Sequence, residues 1–357
     1  MPWRNKISPV IIWVIPIIIS WAGCVSGTLR NIPLSNELPP ELPKEFKDNF
    51  EVKEVSQNRT PSSLVSSQTQ APETRKKKSK KSKPKPIAPA FVYPNRRPEK
   101  DPIWVGEKLT YSITYFGMTA GDFTLEVLPY KFIRDRKMYH IKGTAVTTAI
   151  FSLIYRINDM VETFIDYDGV FSHRFHILLD ETKQARDSLE LHDSEKSQTY
   201  YWNRWDRRGS GYQETKEFAP IPPFSQDSLS ALYYVRTMPL SIGSVFSFPV
   251  ISEGKSFEAV CNIVRRENMR TPLGRIDTIV IKPEMKYQGI LKKSGDSYLW
   301  LTDDDRRVPV RLEAKVRIGT VIANLIKVDL GDQNPRPDPS PMPVPEPSPD
   351  SPVKLSK

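Results

Sequence analysis

The sequence predicts an all-β fold, mainly antiparallel, in which a barrel or a strongly curved sheet surrounds one central amphipathic helix. Apolar and polar residues alternate with period two through most of residues 101–332, and turns rich in Gly, Asp or Pro separate the alternating segments. One segment of this region has helical spacing instead. The flanking sequences differ sharply in composition, so we predict one folded domain between disordered N- and C-terminal tails.

The first segment of the chain has the layout of a secretory leader. Two basic residues near the N-terminus precede residues 7–23, a stretch that is almost wholly apolar. Two prolines interrupt this stretch, and it is shorter than the ~20 apolar residues of a typical spanning helix. We therefore predict a signal peptide over residues 1–23.

Cys24 directly follows the apolar stretch. The residues Trp21-Ala22-Gly23-Cys24 resemble the bacterial lipobox, whose cysteine is diacylated and becomes the new N-terminus, although Trp21 departs from the usual aliphatic residue. We predict lipid attachment at Cys24, with an uncleaved signal anchor and simple cleaved secretion as alternatives. Val25 is not the aspartate of an inner-membrane retention signal. This favours an outer-membrane lipoprotein facing the periplasm over an inner-membrane anchored periplasmic protein.

Residues 24–100 are predicted to form a disordered basic linker, because their few apolar residues cannot offset the entropy of ordering. Within them, residues 75–85 carry eight positive charges in eleven positions. Such a block repels itself and stays extended. We interpret it as a solvated spacer or as a contact to anionic lipid or cell-wall polymer.

The net charge of +10 does not predict nucleic-acid binding. Residues 101–332 contain 31 basic and 31 acidic residues, so the whole excess lies in the flanks. A nucleic-acid reader normally carries its basic surface on the folded face that docks. We therefore expect no nucleic-acid partner.

The domain begins with a predicted hairpin. Residues 109–115 and 123–127 alternate, with two glycines between them. Further strands are predicted over residues 138–147, 160–165, 175–179, 188–192, 199–202, 245–250, 257–264, 276–281, 298–301, 308–318 and 320–328. About a dozen strands with short turns favour a barrel or a curved sheet.

The predicted helix spans residues 225–236. It begins with Ser225 as a capping residue, and Leu229, Leu232 and Tyr233 form one apolar face. Two prolines precede it, and Pro239 ends it. We expect this helix to plug or cap the sheet.

Five motifs of the domain together resemble one protein family. They are Val105-Gly106-Glu107-Lys108-Leu109-Thr110-Tyr111, Tyr115-Phe116-Gly117-Met118-Thr119-Ala120-Gly121, Gln226-Asp227-Ser228-Leu229-Ser230-Ala231-Leu232-Tyr233-Tyr234-Val235-Arg236, Thr271-Pro272-Leu273-Gly274 and Trp300-Leu301-Thr302-Asp303-Asp304-Asp305-Arg306-Arg307-Val308-Pro309-Val310-Arg311. These motifs resemble the bacterial domain-of-unknown-function family numbered 3108. The resemblance covers nearly all of residues 101–331. It implies an exported β-rich envelope domain with no established activity.

The residues that could carry catalysis or bind a metal are few. The chain has no Gly-x-Ser-x-Gly elbow, His-Glu-x-x-His motif, phosphate loop or dinucleotide glycine fingerprint. His173 and His176 lie on a predicted strand, where a spacing of three places them on opposite faces. Cys261 fits a small apolar core position on a strand better than a reactive thiol. We predict no catalytic residues, no metal site and no cofactor.

Three polar clusters have simpler explanations than a site. Glu162, Asp166 and Asp168 form one carboxylate cluster, of which residues 166–169 fit a turn, and the triplet at residues 303–305 fits a hairpin loop. Residues 200–208 interleave aromatics with arginines, which could stack on sugars or bases. We favour a hairpin with rim arginines and one buried aromatic face.

Residues 333–357 are predicted to form a Pro-rich disordered tail. Proline occupies every second position from residue 335 to residue 349, which excludes helix and sheet and enforces polyproline-II geometry. We interpret the tail as a semi-rigid spacer, with a docking ligand for a partner as the alternative.

The sequence as a whole predicts a non-enzymatic cell-envelope lipoprotein. We expect its domain to bind an apolar or amphipathic envelope ligand, or a protein partner, between the sheet and the predicted helix. A structural tether between membrane and cell wall is the second interpretation, since the flanks form a large part of the chain. An enzyme of unrecognised type is the third.

Overall fold

In a computed structural model of the chain, the described residues are 38, 42–54, 91–207, 211–288, 290–291, 296–315 and 319–332. The predicted signal peptide, Cys24, the basic block at residues 75–85 and the Pro-rich tail lie outside the described residues.

The described residues form sixteen strands and three short helices. The helices are α1 (Lys44–Phe50), α2 (Ala149–Ser152) and α3 (Ser230–Thr237). The strands are β1 (Lys53–Glu54), β2 (Glu107–Tyr115), β3 (Met118–Ile133), β4 (Arg136–Thr147), β5 (Asn158–Asp166), β6 (Ser172–Asp180), β7 (Gln184–Asp193), β8 (Gln198–Arg207), β9 (Gly211–Pro220), β10 (Val245–Ser252), β11 (Lys255–Thr271), β12 (Gly274–Tyr287), β13 (Ile290–Leu291), β14 (Ser297–Thr302), β15 (Pro309–Lys315) and β16 (Thr320–Leu330). None of the described helices is long and apolar enough to cross a bilayer.

The strands belong to one antiparallel sheet in the order β10-β11-β12-β14-β15-β16-β2-β3-β4-β5-β6-β7-β8-β9, with β1 added to β3 and β13 to β12. The order ends at β9 and β10 without closing. This confirms the predicted antiparallel β fold, in its curved-sheet form. β2 and β16, which lie near the start and at the end of the domain along the chain, pair with each other in the middle of this sheet.

A close backbone approach marks the β2–β16 junction. A Cβ on Gly331 would lie 2.4 Å from the backbone nitrogen of Glu107, and its φ is 67°. Glycine is therefore required where the two ends of the domain meet.

The inner face of the sheet encloses the main apolar core. Alternate residues of most strands contribute to it, as the burial pattern of β2 illustrates. Leu232, Tyr233 and Val235 of α3 are each 1% exposed within this core. The central helix therefore plugs the sheet as predicted.

The loops divide between two ends of the sheet. At the tip end lie residues 116–117, 148–157 and 181–183, together with Gly319 directly before β16. At the strap end lie the connections β3–β4, β5–β6, β7–β8 and β14–β15.

Residues 91–104, here called the strap, pack on the strap end. The backbone nitrogens of Arg96 and Arg97 donate to the carbonyl of Asp168. Tyr93 stacks on Phe171 with ring centroids 6.1 Å apart. The strap closes this end of the molecule, so the prediction of disorder is wrong for residues 91–100.

A second apolar cluster covers part of the outer face. Phe46 and Phe50 of α1 are 3% and 0% exposed, and they pack with outward-facing residues of β4, β5, β7 and β8. Residues 53–54 then add a short strand to the sheet at β3. The prediction of disorder is therefore also wrong for residues 42–54, because two buried aromatic rings hold this segment.

Two further boundaries differ from the predictions. β9 had no predicted counterpart, since nine of its ten residues are exposed and its sequence lacks alternation. The central helix begins at Ser230 instead of Ser225. The carboxylate of Asp227 accepts hydrogen bonds from the backbone nitrogens of Leu229 and Ser230, which fixes the later start.

Candidate functional site

The predicted ligand position between the sheet and the helix is filled by the protein itself. Leu229, Leu232 and Tyr233, the predicted apolar face, are all buried in the core. The apolar face of the helix therefore packs against the core of the domain. A ligand surface has to be sought elsewhere.

Arg236 at the end of α3 forms the deepest ion pair of the domain. Its guanidinium donates to both carboxylate oxygens of Glu107 at 2.7 Å and to the carbonyl of Pro102 at 2.8 Å. Arg306 donates to the same carboxylate at 2.7 Å. The side chains of Arg236 and Glu107 are 0% and 1% exposed. This buried network links α3, β2 and the strap.

Asp227 is the second fully buried charge beside α3. Besides the two backbone nitrogens at the helix start, it accepts a hydrogen bond from the hydroxyl of Thr163 on β5. Burial raises the pKa of Asp227 above its usual value. These contacts attach the helix to the sheet and give Asp227 a structural role.

Each of the four histidines lies beside a carboxylate. The pairs are His140 with Glu162 at 3.4 Å, His173 with Asp166 at 3.3 Å, His176 with Asp187 at 2.8 Å and His192 with Glu190 at 3.5 Å. Burial lowers the pKa of the His173 imidazole despite its carboxylate neighbour. Among the described residues, no three His, Cys, Asp or Glu side chains converge as metal ligands.

The prediction that His173 and His176 lie on opposite faces is wrong. A β-bulge interrupts the pairing of β5 with β6, where Phe164 pairs with Arg174 and Ile165 with Ser172. His173 is the extra residue, so the alternation shifts by one and both imidazoles reach carboxylates on the outer face.

The predicted carboxylate clusters form turns at residues 166–169 and 303–306, whereas Glu162 lies within β5 beside His140. Asp166 accepts hydrogen bonds from Arg136 and from the backbone nitrogens of Asp168 and Gly169. Burial favours its neutral form, but the contacts with Arg136 and His173 outweigh burial and hold the pKa of Asp166 well below its usual value. In the 303–305 triplet, the carboxylate of Asp304 caps the turn by accepting hydrogen bonds from the backbone nitrogens of Arg306 and Arg307.

The structure also brings together a carboxyl pair, Asp159 and Glu181, that the sequence does not predict. Asp159 and Glu181 are each 2% exposed and lie together below the tip end. Burial and the charge of Glu181 raise the pKa of Asp159 to about 9. The phenol of Tyr155 and the amide of Gln184 both donate to Glu181 at 2.6 Å. No spacing in the sequence links the two acids, because Asp159 lies on β5 and Glu181 follows the end of β6.

The aromatic and arginine-rich segment forms the predicted hairpin. Tyr200 and Trp202 lie in the outer cluster with α1. Arg204 stacks on Trp202 at 4.3 Å and Arg207 on Trp205 at 3.6 Å. The arginines thus cover the aromatic rings of their own strand.

Cys261 is buried, with 1% of its surface exposed, and burial raises the pKa of its thiol to about 12. A protonated, inaccessible thiol is unreactive. The residue packs in the core of β11, as the sequence predicts.

The tip end carries six exposed apolar side chains, here together called the apolar tip. Its members are Phe116 (59% exposed), Met118 (58%), Val146 (50%), Ile150 (81%), Leu153 (88%) and Ile154 (75%). Contiguous exposed apolar side chains usually mark an interaction site. The apolar tip is therefore the candidate functional surface of the domain.

Hydrogen bonds hold the two segments of the apolar tip in place. The backbone nitrogen of Thr148 donates to the carbonyl of Ala120, which joins the β4–β5 loop to β3. The hydroxyl of Thr148 accepts from the nitrogen of Phe151 at 3.2 Å and caps α2. The backbone nitrogen of Arg156 donates a hydrogen bond to the hydroxyl of Thr182 at 2.7 Å. These hydrogen bonds hold the β4–β5 loop, which carries most of the tip, in a defined position.

The sequence contained a signal for this surface. Residues 146–155 and 115–121 include no charged residue, although loops between strands are normally polar. Period-two alternation marks strands and does not mark an uncharged connection between them.

The sequence model of the family described as "Protein of unknown function (DUF3108)" matches residues 110–326. The chain belongs to this family. The match spans β2 to β16 and thus includes the apolar tip of this DUF3108 domain. No curated protein matches the chain at a significant level.

Several solved structures resemble the DUF3108 chain distantly. A beta-barrel-like protein of the domain of unknown function DUF1849 from Brucella abortus has a TM-score of 0.44 and 9% identity, covering 64% of this chain and 99% of its own. An exported protein with a YmcC-like fold from Bacteroides fragilis gives 0.30 and 12%, covering 67% and 99%. A protein described as a lipoprotein from Parabacteroides distasonis gives 0.28 and 9%, covering 67% and 100%. At these values the matches carry no argument about function.

Proposed function

We propose that this chain is an exported, lipid-anchored and non-enzymatic envelope protein whose β domain binds an apolar or amphipathic partner through the apolar tip. The observation that carries the proposal is the exposure of Ile150, Leu153 and Ile154, at 81%, 88% and 75%. Burying an aliphatic side chain of this size is worth about 1.5–3 kcal/mol. A partner that covers the tip gains that free energy.

A non-enzymatic role agrees with the way the ionisable groups are used. Arg236 and Glu107 bind each other, Asp227 starts a helix, and each histidine lies beside a carboxylate. Catalytic groups need to face a substrate, whereas these groups face structural partners. The proposal accordingly includes no cofactor and no nucleic-acid partner.

The proposed location rests on the leader and on Cys24 at the lipobox-like segment. Diacylation of Cys24 would hold the domain at a membrane of the cell envelope, and the outer membrane is our preferred site. Residues 75–85 would add a contact to anionic lipid or to cell-wall polymer.

The test compares the wild-type full chain with the variant Ile150→Ser/Leu153→Ser/Ile154→Ser, both purified from the native envelope. Mass spectrometry of the N-terminal peptide reports acylation of Cys24, and chemical crosslinking followed by lipid extraction reports what contacts the domain. We expect an apolar or amphipathic partner with the wild type and its loss with the variant.

The matched control is Val245→Ser/Ile326→Ser, which removes exposed apolar side chains outside the tip. It should keep the partner. Equal recovery with the tip variant and the wild type would refute the role of the tip.

A tether between membrane and cell wall is the second candidate, and the long basic and Pro-rich flanks favour it. Deleting residues 75–85 and 335–352 distinguishes the two functions. A tether would lose its contact with the wall in the deletion variant, whereas binding through the apolar tip would persist.

A further inference from the structure

We propose that the apolar tip inserts into the surface of a lipid bilayer, so that a membrane is the partner it binds. This inference rests on the proposed function, which requires only some apolar or amphipathic partner. The first supporting observation is shape. A side chain that lines a groove cannot be 75–88% exposed, as Leu153 and its neighbours are. The tip is therefore a projection, which a fluid apolar layer can surround without a complementary surface.

The second observation is the arrangement of charge. The two segments of the tip, residues 115–121 and 146–155, contain no charged residue. Charges begin at the next positions, with Asp122 on β3 and with Arg156, whose guanidinium pairs with Asp180 at 2.6 Å. An uncharged projection above a polar rim matches the change from hydrocarbon to headgroups at a membrane surface.

Aromatic residues stand at the base of the same end. Tyr155 directly follows the exposed aliphatic residues and is half-buried, with its phenol bound to Glu181. Phe151 lies between Ile150 and Ser152 and is also half-buried. Both rings pack against the main core, so they anchor the loop that carries the exposed aliphatic residues.

The third observation is reach. Cys24 precedes the buried Leu42 by about 18 residues, which span at most ~60 Å when fully extended. An acylated Cys24 would therefore keep the domain within a few nanometres of the membrane that holds the anchor. The anchored segment enters the domain near the strap end, because residues 53–54 pair with residues 131–132 of β3. A linker of this length can still extend along the domain, so the lipid of that membrane is a partner within reach of the tip.

The experiment places an environment-sensitive dye on Leu153→Cys in the full chain, reconstituted into vesicles of phosphatidylethanolamine and phosphatidylglycerol. The control label is Asp135→Cys, an exposed position at the strap end. Cys261 is buried and does not react, and a parallel Cys24→Ser series ensures a single label. Because residue 153 is 88% exposed, its substitution leaves the fold intact.

We expect the dye at residue 153 to emit further to the blue than the dye at residue 135. Quenching by nitroxides at shallow acyl positions should be several-fold stronger at 153. A second label at Met118→Cys, on the adjoining segment, should behave like the label at 153.

Water-like emission and equal quenching at both positions would overturn the inference. If residue 153 is water-exposed on pure vesicles but moves to an apolar environment in native envelope membranes, the partner is a protein. That result would refute membrane insertion and leave the proposed function standing. A Cys24 without acyl chains would refute the anchor, while the label at 153 would still report on insertion.

Discussion

Arg236 shows how much of this domain depends on a single side chain. Its guanidinium is fully buried and donates to Glu107, to the carbonyl of Pro102 and to the carbonyl of Arg306. Replacing one partner leaves a buried charge without compensation, which typically costs about 3–5 kcal/mol. We expect Arg236→Met to lower the free energy of unfolding by roughly that amount in urea titrations.

The exposed pair of Lys100 and Asp305, 2.7 Å apart, is the matched control. Lys100→Ala should leave the free energy of unfolding unchanged within error, because solvent screens this pair. An equally small effect of Arg236→Met would show that the buried network is dispensable.

Asp159 predicts an unusual dependence of stability on pH. Burial and the nearby Glu181 raise its pKa from 3.8 to about 9 in the folded state, so between these values the folded chain binds more protons than the unfolded chain. This contribution is therefore complete below pH 3.8 and is lost as the pH rises through about 9. The free energy of unfolding should fall with rising pH across this window, and Asp159→Asn should flatten the fall.

Urea unfolding at a series of pH values provides the measurement. Asp122→Asn, at an exposed position on β3, is the control and should retain the slope of the wild type. An unchanged slope in Asp159→Asn would mean that the proton is not held at Asp159.

At the scale of elements, α1 lies in a segment predicted to be disordered, and its attachment to the domain can be tested. Phe46 and Phe50 fill the outer cluster, and removing such a ring typically costs about 3–5 kcal/mol. We expect Phe46→Ala/Phe50→Ala to release residues 42–54, seen as a large increase in amide hydrogen exchange there. Asp48→Ala, on the exposed side of the same helix, should leave exchange unchanged.

Sequence reasoning succeeded for elements that bury one face. β2, β4 and β5 alternate because their inner residues join the core, so period two was visible. The sequence does not predict β9, because nearly all of its residues are exposed and no apolar alternation results. α1 was missed because its two phenylalanines stand among charged residues in a segment of low apolar content.

The candidate site was harder to predict than the fold. The bulge in β6 that turns His173 outward depends on pairing with β5, which periodicity cannot register. The Asp159 and Glu181 pair likewise depends on tertiary contact. The apolar tip was accessible in principle, since the absence of charge in residues 146–155 is a property of the sequence.

At the scale of the whole molecule, the core is shared by both halves of the chain. Leu125 and Ile141 from the first half lie in one cluster with Val280 and Leu301 from the second. Neither half can bury its apolar face alone. We expect residues 91–220 and 221–332 to be unfolded when produced separately, with weak near-ultraviolet circular dichroism, and to recover the native spectrum when produced together.

A cooperative unfolding transition in either fragment alone would contradict this expectation. The intact chain, denatured and refolded under the same conditions, is the control. Its success would show that a failure of the fragments reflects the missing half.

The pairing of β2 with β16 has a mechanical consequence. These strands are antiparallel, and the start of β2 and the end of β16 lie side by side, as the pairing of Glu107 with Leu330 shows. Consider a force that pulls the two flanks apart after the strap has detached. It would break the hydrogen bonds between β2 and β16 one pair at a time, instead of loading all of them together. A chain stretched between membrane and wall would therefore yield here at low force, so the geometry suits an object that rests against a surface better than one held under tension.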